Sequence, residues 1–106
     1  MPIIEITSKA DFLEKILGSK DAAILDCYAK WSPSCRSIAP QFEELSNTYT
    51  QVKFYKVDVD NVEEVALELG VRTAPTCMLF KDGEKITEIV GAHLSVIEQG
   101  IKSHLL

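Results

Sequence analysis

No apolar run in the chain is longer than residues 22–25 or 77–80. That is far short of the roughly 20 residues needed to cross a bilayer as a helix. Basic residues are also scarce: 11 Lys and Arg stand against 16 Asp and Glu, a net charge of −5. Nothing supplies the basic stripe that counterion release at a phosphate backbone requires, which excludes a nucleic-acid partner and an anionic membrane surface. With 5 Gly and 4 Pro the chain is neither collagen-like nor a disordered linker. Its 3 cysteines, Cys27, Cys35 and Cys77, are too few and too widely spaced for a disulfide framework or a paired zinc-ligand pattern. No metal and no cofactor is expected. The N-terminus lacks a basic stretch followed by a long apolar one, so no secretory signal is expected and the default compartment is the cytoplasm.

What is present is one domain's worth of globular chain, 106 residues with 46% hydrophobic and 25% charged side chains, read as a single domain over 1–106. Ile3, Ile4 and Ile6 open with a short strand. Ser8, with Asp11 three residues on, starts a helix that carries Phe12, Leu13, Ile16 and Leu17 and stops at Gly18. Residues 22–28 form a nearly continuous apolar strand of the kind buried on both faces, in which Asp26 is the odd residue. A long amphipathic helix follows over 33–49, with Ile38, Phe42, Leu45 and Tyr49 on one face and a kink expected at Pro40, which has no N–H to give the Arg36 carbonyl.

Residues 52–58 read as a strand, and Asn61 with Glu64 caps a helix that Gly70 ends. Residues 76–81 and 84–90 form an antiparallel pair joined at Asp82-Gly83. Strict alternation there places Ile86, Glu88 and Val90 on one face and Lys85, Thr87 and Ile89 on the other. Ser95 with Glu98 makes a capping box for a last helix carrying Val96, Ile97, Ile101 and Leu105. The sum is an α/β chain, βαβαβα then ββα, whose mixed sheet lies between helices.

Between strand and long helix stands Trp31-Ser32-Pro33-Ser34-Cys35. Ser32 is a good N-cap with proline at N1, and its oxygen is expected to accept the Cys35 N–H. Cys35 is either a small buried hydrophobe or a working thiol. Asp26 is either an ion-paired core carboxylate or a proton relay. Trp31 serves equally as core or as an exposed platform, and Ala74-Pro75, just before a strand, is where a cis bond would persist.

The order Asp26, Trp31 to Cys35, Pro40, Thr73-Ala74-Pro75-Thr76, Asp82-Gly83 and Gly91 resembles the thioredoxin family over essentially the whole chain, closely the eukaryotic cytosolic members. The resemblance implies the thioredoxin fold, a central mixed five-stranded sheet flanked by four helices, and a protein thiol–disulfide oxidoreductase. It implies Cys35 as the resolving thiol, Asp26 as its proton relay with Lys56 facing it, and a substrate groove of Trp31, Pro33, Ala74, Pro75, Gly91 and Ala92. It also implies thioredoxin reductase and disulfide-containing client proteins as partners of a monomer. Ser32 falls where the family has its attacking cysteine, and a hydroxyl neither forms a disulfide nor ionises near neutral pH, so this chain is not expected to cycle as a dithiol. Two functions stay open: a thioredoxin whose nucleophile is replaced, and a redox-inactive module that holds partners in the same groove. Cys27 and Cys77 are expected as two buried thiols on adjacent strands.

Overall fold

In a computed structural model that describes residues 3–106, the strands and helices follow the expected order. The elements are β1 (Ile4–Glu5), α1 (Lys9–Phe12, continued by a wider turn over Leu13–Leu17), β2 (Ala23–Tyr28) and α2 (Pro33–Thr48), then β3 (Lys53–Asp58) and α3 (Glu63–Leu69). The chain closes with β4 (Thr76–Lys81), β5 (Glu84–Val90) and α4 (Leu94–Gly100, continued over Ile101–Leu105). The five strands lie in the order β1-β3-β2-β4-β5, with β1 and β2 parallel to β3, and β4 antiparallel to both β2 and β5.

Both faces of the sheet are covered, which is why β2 reads as an apolar run rather than an alternation. On one side Leu25, Cys27, Val57, Met78 and Phe80 pack under α1 and α3 with Phe12 and Val65. On the other, Ile24, Phe54, Cys77 and Leu79 pack under α2 and α4 with Phe42, Ile97 and Ile101. Phe12 meets Phe80, and Phe42 meets Phe54, edge to face at ring separations of 5.9 and 5.2 Å. Among the described residues, no helix is long and apolar enough to cross a membrane.

Local chemistry explains most boundaries. Ser8 caps α1 by accepting the Asp11 N–H at 3.0 Å, as its sequence implies, although the Asp11 carboxylate reaches back to the N–H of Thr7 rather than of Ser8. Helix α2 runs unbroken through Pro40. Two expected caps are absent. Helix α3 begins after Val62 with no side-chain cap, and the Asp58 carboxylate instead accepts the N–H groups of Asp60 and Asn61. Helix α4 begins after His93, so Ser95 already lies inside it, and Glu98 accepts the Tyr49 hydroxyl at 2.6 Å. A further correction falls in β5: a bulge skips Ile86, so that Lys85 lies opposite Phe80 while Thr87 lies opposite Leu79. Lys85 therefore joins the face of Glu88, with which it pairs at 2.6 Å, and not that of Thr87.

Candidate functional site

The end of β2 and the start of α2 bring the acid and the thiol to one place. Ser32 is the N-cap of α2 and Pro33 its first residue, where proline's missing N–H costs nothing. The Ser32 Oγ accepts the Cys35 N–H at 3.3 Å and donates to the Ala74 carbonyl at 3.5 Å, and the residue is only 3% exposed. Its hydroxyl is thus committed on both sides. Cys35, at N3, is 5% exposed and is a free thiol.

Asp26 lies opposite Lys56 of β3 and Cys77 of β4, on the sheet face that carries α2. It is 6% exposed, and its Oδ1 has no hydrogen-bond partner among the described residues. Burial pushes its carboxyl up to about 7, against the pull of the Lys56 ammonium and with a small push from Glu5. Lys56 does not close on Asp26. It sits 3.8 Å from Glu5 and 5.8 Å from the centre of the Tyr28 ring, and the Tyr28 hydroxyl donates to Glu5. Asp26 and Cys35 share a cleft of about 320 Å³ with Tyr28, Ala29, Ala39 and Lys56, rimmed by Lys30 and Arg36. A larger cleft of about 600 Å³ lies between β5 and α4, where neither the acid nor the thiol reaches.

The groove residues meet at the other end of Ser32. The Ala74–Pro75 bond is cis, and Gly91, with φ of 97°, donates its N–H to the Pro75 carbonyl at 2.8 Å. Trp31 is a platform rather than core: it is 68% exposed, and its indole N–H donates to Asp60 at 2.9 Å. Pro33 is exposed beside it. Ala92, which the resemblance puts in the groove, is half-buried and packs on one side against the core under α2 and α4. Four residues at the site are not legible in the sequence. Asp60 holds the indole from 29 positions away, Glu5 and Tyr28 hold Lys56 off Asp26, and His93 lies against Gly91, its ring 3.0 Å from where a Cβ would be.

Cys27 and Cys77 are both fully buried. Cys27 belongs to the core under α1 and α3 and Cys77 to the core under α2 and α4, so the sheet itself separates them and no disulfide joins them. Burial raises both thiols above their ordinary range, with Asp26 adding to it.

Comparison with known proteins agrees with this frame. The thioredoxin family description matches residues 3–103. A thioredoxin of Aspergillus fumigatus is 45% identical over 103 residues, 95% of this chain and 94% of its relative. Thioredoxin-1 of Schizosaccharomyces pombe is 42% identical over 101 residues, 95% of this chain and 97% of its relative. The crystal structure of Malassezia sympodialis thioredoxin superposes with a TM-score of 0.92 at 36% identity, covering 99% of this chain and 92% of that one. The chain belongs to the thioredoxin family of thiol–disulfide oxidoreductases and has its fold, a mixed five-stranded sheet between four helices.

Proposed function

We propose that residues 1–106 are a single, monomeric thioredoxin domain in which Ser32 holds the position of the attacking cysteine, so that the groove and the acid–thiol pair persist while the dithiol cycle does not run. The observation that carries this reading is the state of Ser32, a buried cap whose oxygen is bonded on both sides. Reducing a protein disulfide takes two electrons from two sulfurs that end in one bond, and at the start of α2 there is one sulfur, Cys35. Asp26 is the group that exchanges a proton with that thiol, and Lys56 moderates the cost of its burial.

With cysteine at position 32, the same frame is a protein-disulfide reductase, recharged by thioredoxin reductase and acting on disulfide-containing clients in the cytoplasm. The groove at Trp31, Pro33, Ala74, Pro75 and Gly91, with the backbone of Ala92, receives an extended client segment. A second reading, a redox-inactive module that binds partners in this groove, draws on the exposure of Trp31 and on the Ala74–Pro75 and Gly91 backbone, none of which needs a sulfur at position 32.

Insulin reduction followed by turbidity, with reductase and its nicotinamide cofactor present, separates the two. The chain as it stands should show no turnover, and Ser32→Cys should restore it. Robust turnover by the Ser32 form would sink the mechanism, and a Ser32→Cys form that stays inactive would favour the binding module.

A further inference from the structure

Cys35 has two approaches. On the groove side stands Ser32, its hydroxyl bonded to Cys35 N–H and to the Ala74 carbonyl. On the other side is the cleft between β2, β3 and the first turns of α2, lined by Cys35 itself and by Asp26. At about 320 Å³ it stands at the small end of the range, roughly 300–1,000 Å³, in which ligand pockets fall. It has no room for a folded client but admits a molecule of several heavy atoms. Its walls are the Tyr28 ring and the methyl groups of Ala29 and Ala39, and it is lined too by Asp26, whose buried Oδ1 has no partner among the described residues and which also borders a neighbouring cleft of about 420 Å³. An unpartnered acceptor in a mostly apolar cleft calls for a ligand that brings an O–H or N–H of its own.

We propose that this cleft is a second site, which admits a small hydroperoxide to the Cys35 thiol and in which Asp26 carries the proton. A hydroperoxide fits on two counts. It donates a hydrogen bond to Asp26, and it oxidises a single sulfur by two electrons, so it needs no second cysteine. The Cys35 thiol gives its proton to the Asp26 carboxylate, and the sulfur attacks the terminal peroxide oxygen. An S–O bond forms as the O–O bond breaks, and Asp26 returns the proton to the departing alkoxide. The products are a Cys35 sulfenic acid and an alcohol, or water where the oxidant is hydrogen peroxide. Two low-molecular-weight thiols restore the site: the first condenses with the sulfenic acid to a mixed disulfide and water, and the second displaces Cys35 as the thiol.

The groups facing Asp26 leave it free for this. Lys56 and Glu5 are paired with each other, and Cys77, its cross-strand neighbour, is fully buried with a thiol held protonated by its surroundings. Ser32 and the client groove take no part; the site rests on the function proposed above only in the proton exchange between Asp26 and Cys35.

The test uses the whole chain, treated separately with hydrogen peroxide and with cumene hydroperoxide, trapped with dimedone and mapped by peptide mass. The adduct should form on Cys35, about tenfold or more ahead of Cys27 and Cys77. Ala39→Phe fills the cleft from an exposed helix position, where folding is not at stake, and should slow the cumene hydroperoxide reaction about tenfold while sparing hydrogen peroxide more. Asp26→Asn should slow both oxidants and flatten the dependence of the rate on pH. A Cys35 that forms no adduct, or one whose rate ignores Ala39→Phe and Asp26→Asn, would overturn the proposal. So would labelling of Cys27 and Cys77 at the same rate, since that reports opening of the whole fold. Insulin turnover by Ser32→Cys is measured separately, so loss of the client reading and loss of this one give different results.

Discussion

The Ser32 oxygen does structural work whatever chemistry its position implies. It satisfies the Cys35 N–H, one of the donors that the first turn of α2 leaves without a helical partner. Ser32→Ala should therefore cost about 0.5–2 kcal/mol, and Ser32→Gly only a few tenths, in urea unfolding beside the parent. Identical midpoints for Ala and parent would remove the cap from the account. Asp26 gives a second prediction, and its sign follows from which state binds the proton better. An exposed aspartate in the unfolded chain titrates near 3.8, and the folded carboxyl is pushed up to about 7. The folded state is the better proton binder between those values, so the stability tied to this group is complete below pH 4 and is lost as pH rises through about 7. Asp26→Asn should leave stability nearly unchanged at pH 4 and raise it by roughly 4 kcal/mol at pH 8, since each pKa unit is about 1.4 kcal/mol. A difference between Asn and Asp that ignores pH would refute the buried, unpaired carboxylate. That Asp26 is buried was legible in the sequence, because an acid in an apolar run between turns has few other places to go. That its Oδ1 has no partner was not, because it depends on Glu5 drawing Lys56 away, and Glu5 belongs to a strand two places across the sheet.

At the scale of elements, the turns, the helix periodicity and the caps at Ser8 and Ser32 are readable because they are local, while the caps of α3 and α4 differ because other groups compete for the same carboxylates and N–H groups. Glu98 stands three residues after Ser95, yet its carboxylate is taken by a hydroxyl 49 positions away. Asn61 stands where a cap is expected, but the Asp58 carboxylate has already turned the chain there. The β5 bulge escapes an alternation rule, since one skipped residue inverts the face of everything beyond it. The β4–β5 turn lies at Asp82-Gly83, both with positive φ, and much rests on it. Gly83 has φ of 76°, and a Cβ there would lie 2.5 Å from the Leu17 carbonyl oxygen, so the hairpin tip is docked against the end of the first helix. Gly70 also has a positive φ, 69°, but nothing lies within 4 Å of its missing Cβ. Gly70→Ala should then cost only the left-handed backbone term, about 1–2 kcal/mol, with Gly70→Asn milder. Gly83→Ala should cost clearly more than Gly70→Ala, because backbone must move, and asparagine should not rescue it. Thermal unfolding of the four variants checks this, and equal losses at both glycines would mean that the hairpin tip does not press on Leu17.

For the molecule as a whole, the sheet is a partition, and the three thiols report on it from different sides. Cys27 lies in the core under α1 and α3, Cys77 in the core under α2 and α4, and Cys35 at the edge of a cleft. The sequence placed Cys27 and Cys77 on adjacent strands, but only the register, with Asp26 opposite Cys77, puts them on opposite faces. Neither has any route to solvent in the folded state, both being 0% exposed, and burial holds both thiols protonated. Alkylation of these two must wait for the fold to open, so its rate is the rate for an unfolded thiol multiplied by the unfolding constant, the small ratio of unfolded to folded chain. Iodoacetamide labelling with peptide mapping should therefore show Cys27 and Cys77 accelerating together with urea, with the slope of global unfolding, while Cys35 labels with little urea dependence through the cleft. Asp26→Asn supplies the cross-check. If it adds roughly 4 kcal/mol at pH 8, it should slow Cys27 and Cys77 there about a thousandfold and at pH 4 hardly at all, because the same carboxylate that costs stability at high pH is neutral at low pH. Cys27 labelling that kept pace with Cys35 in the absence of urea would mean that the core under α1 and α3 opens by itself, and the two halves of the molecule would then not be one cooperative unit.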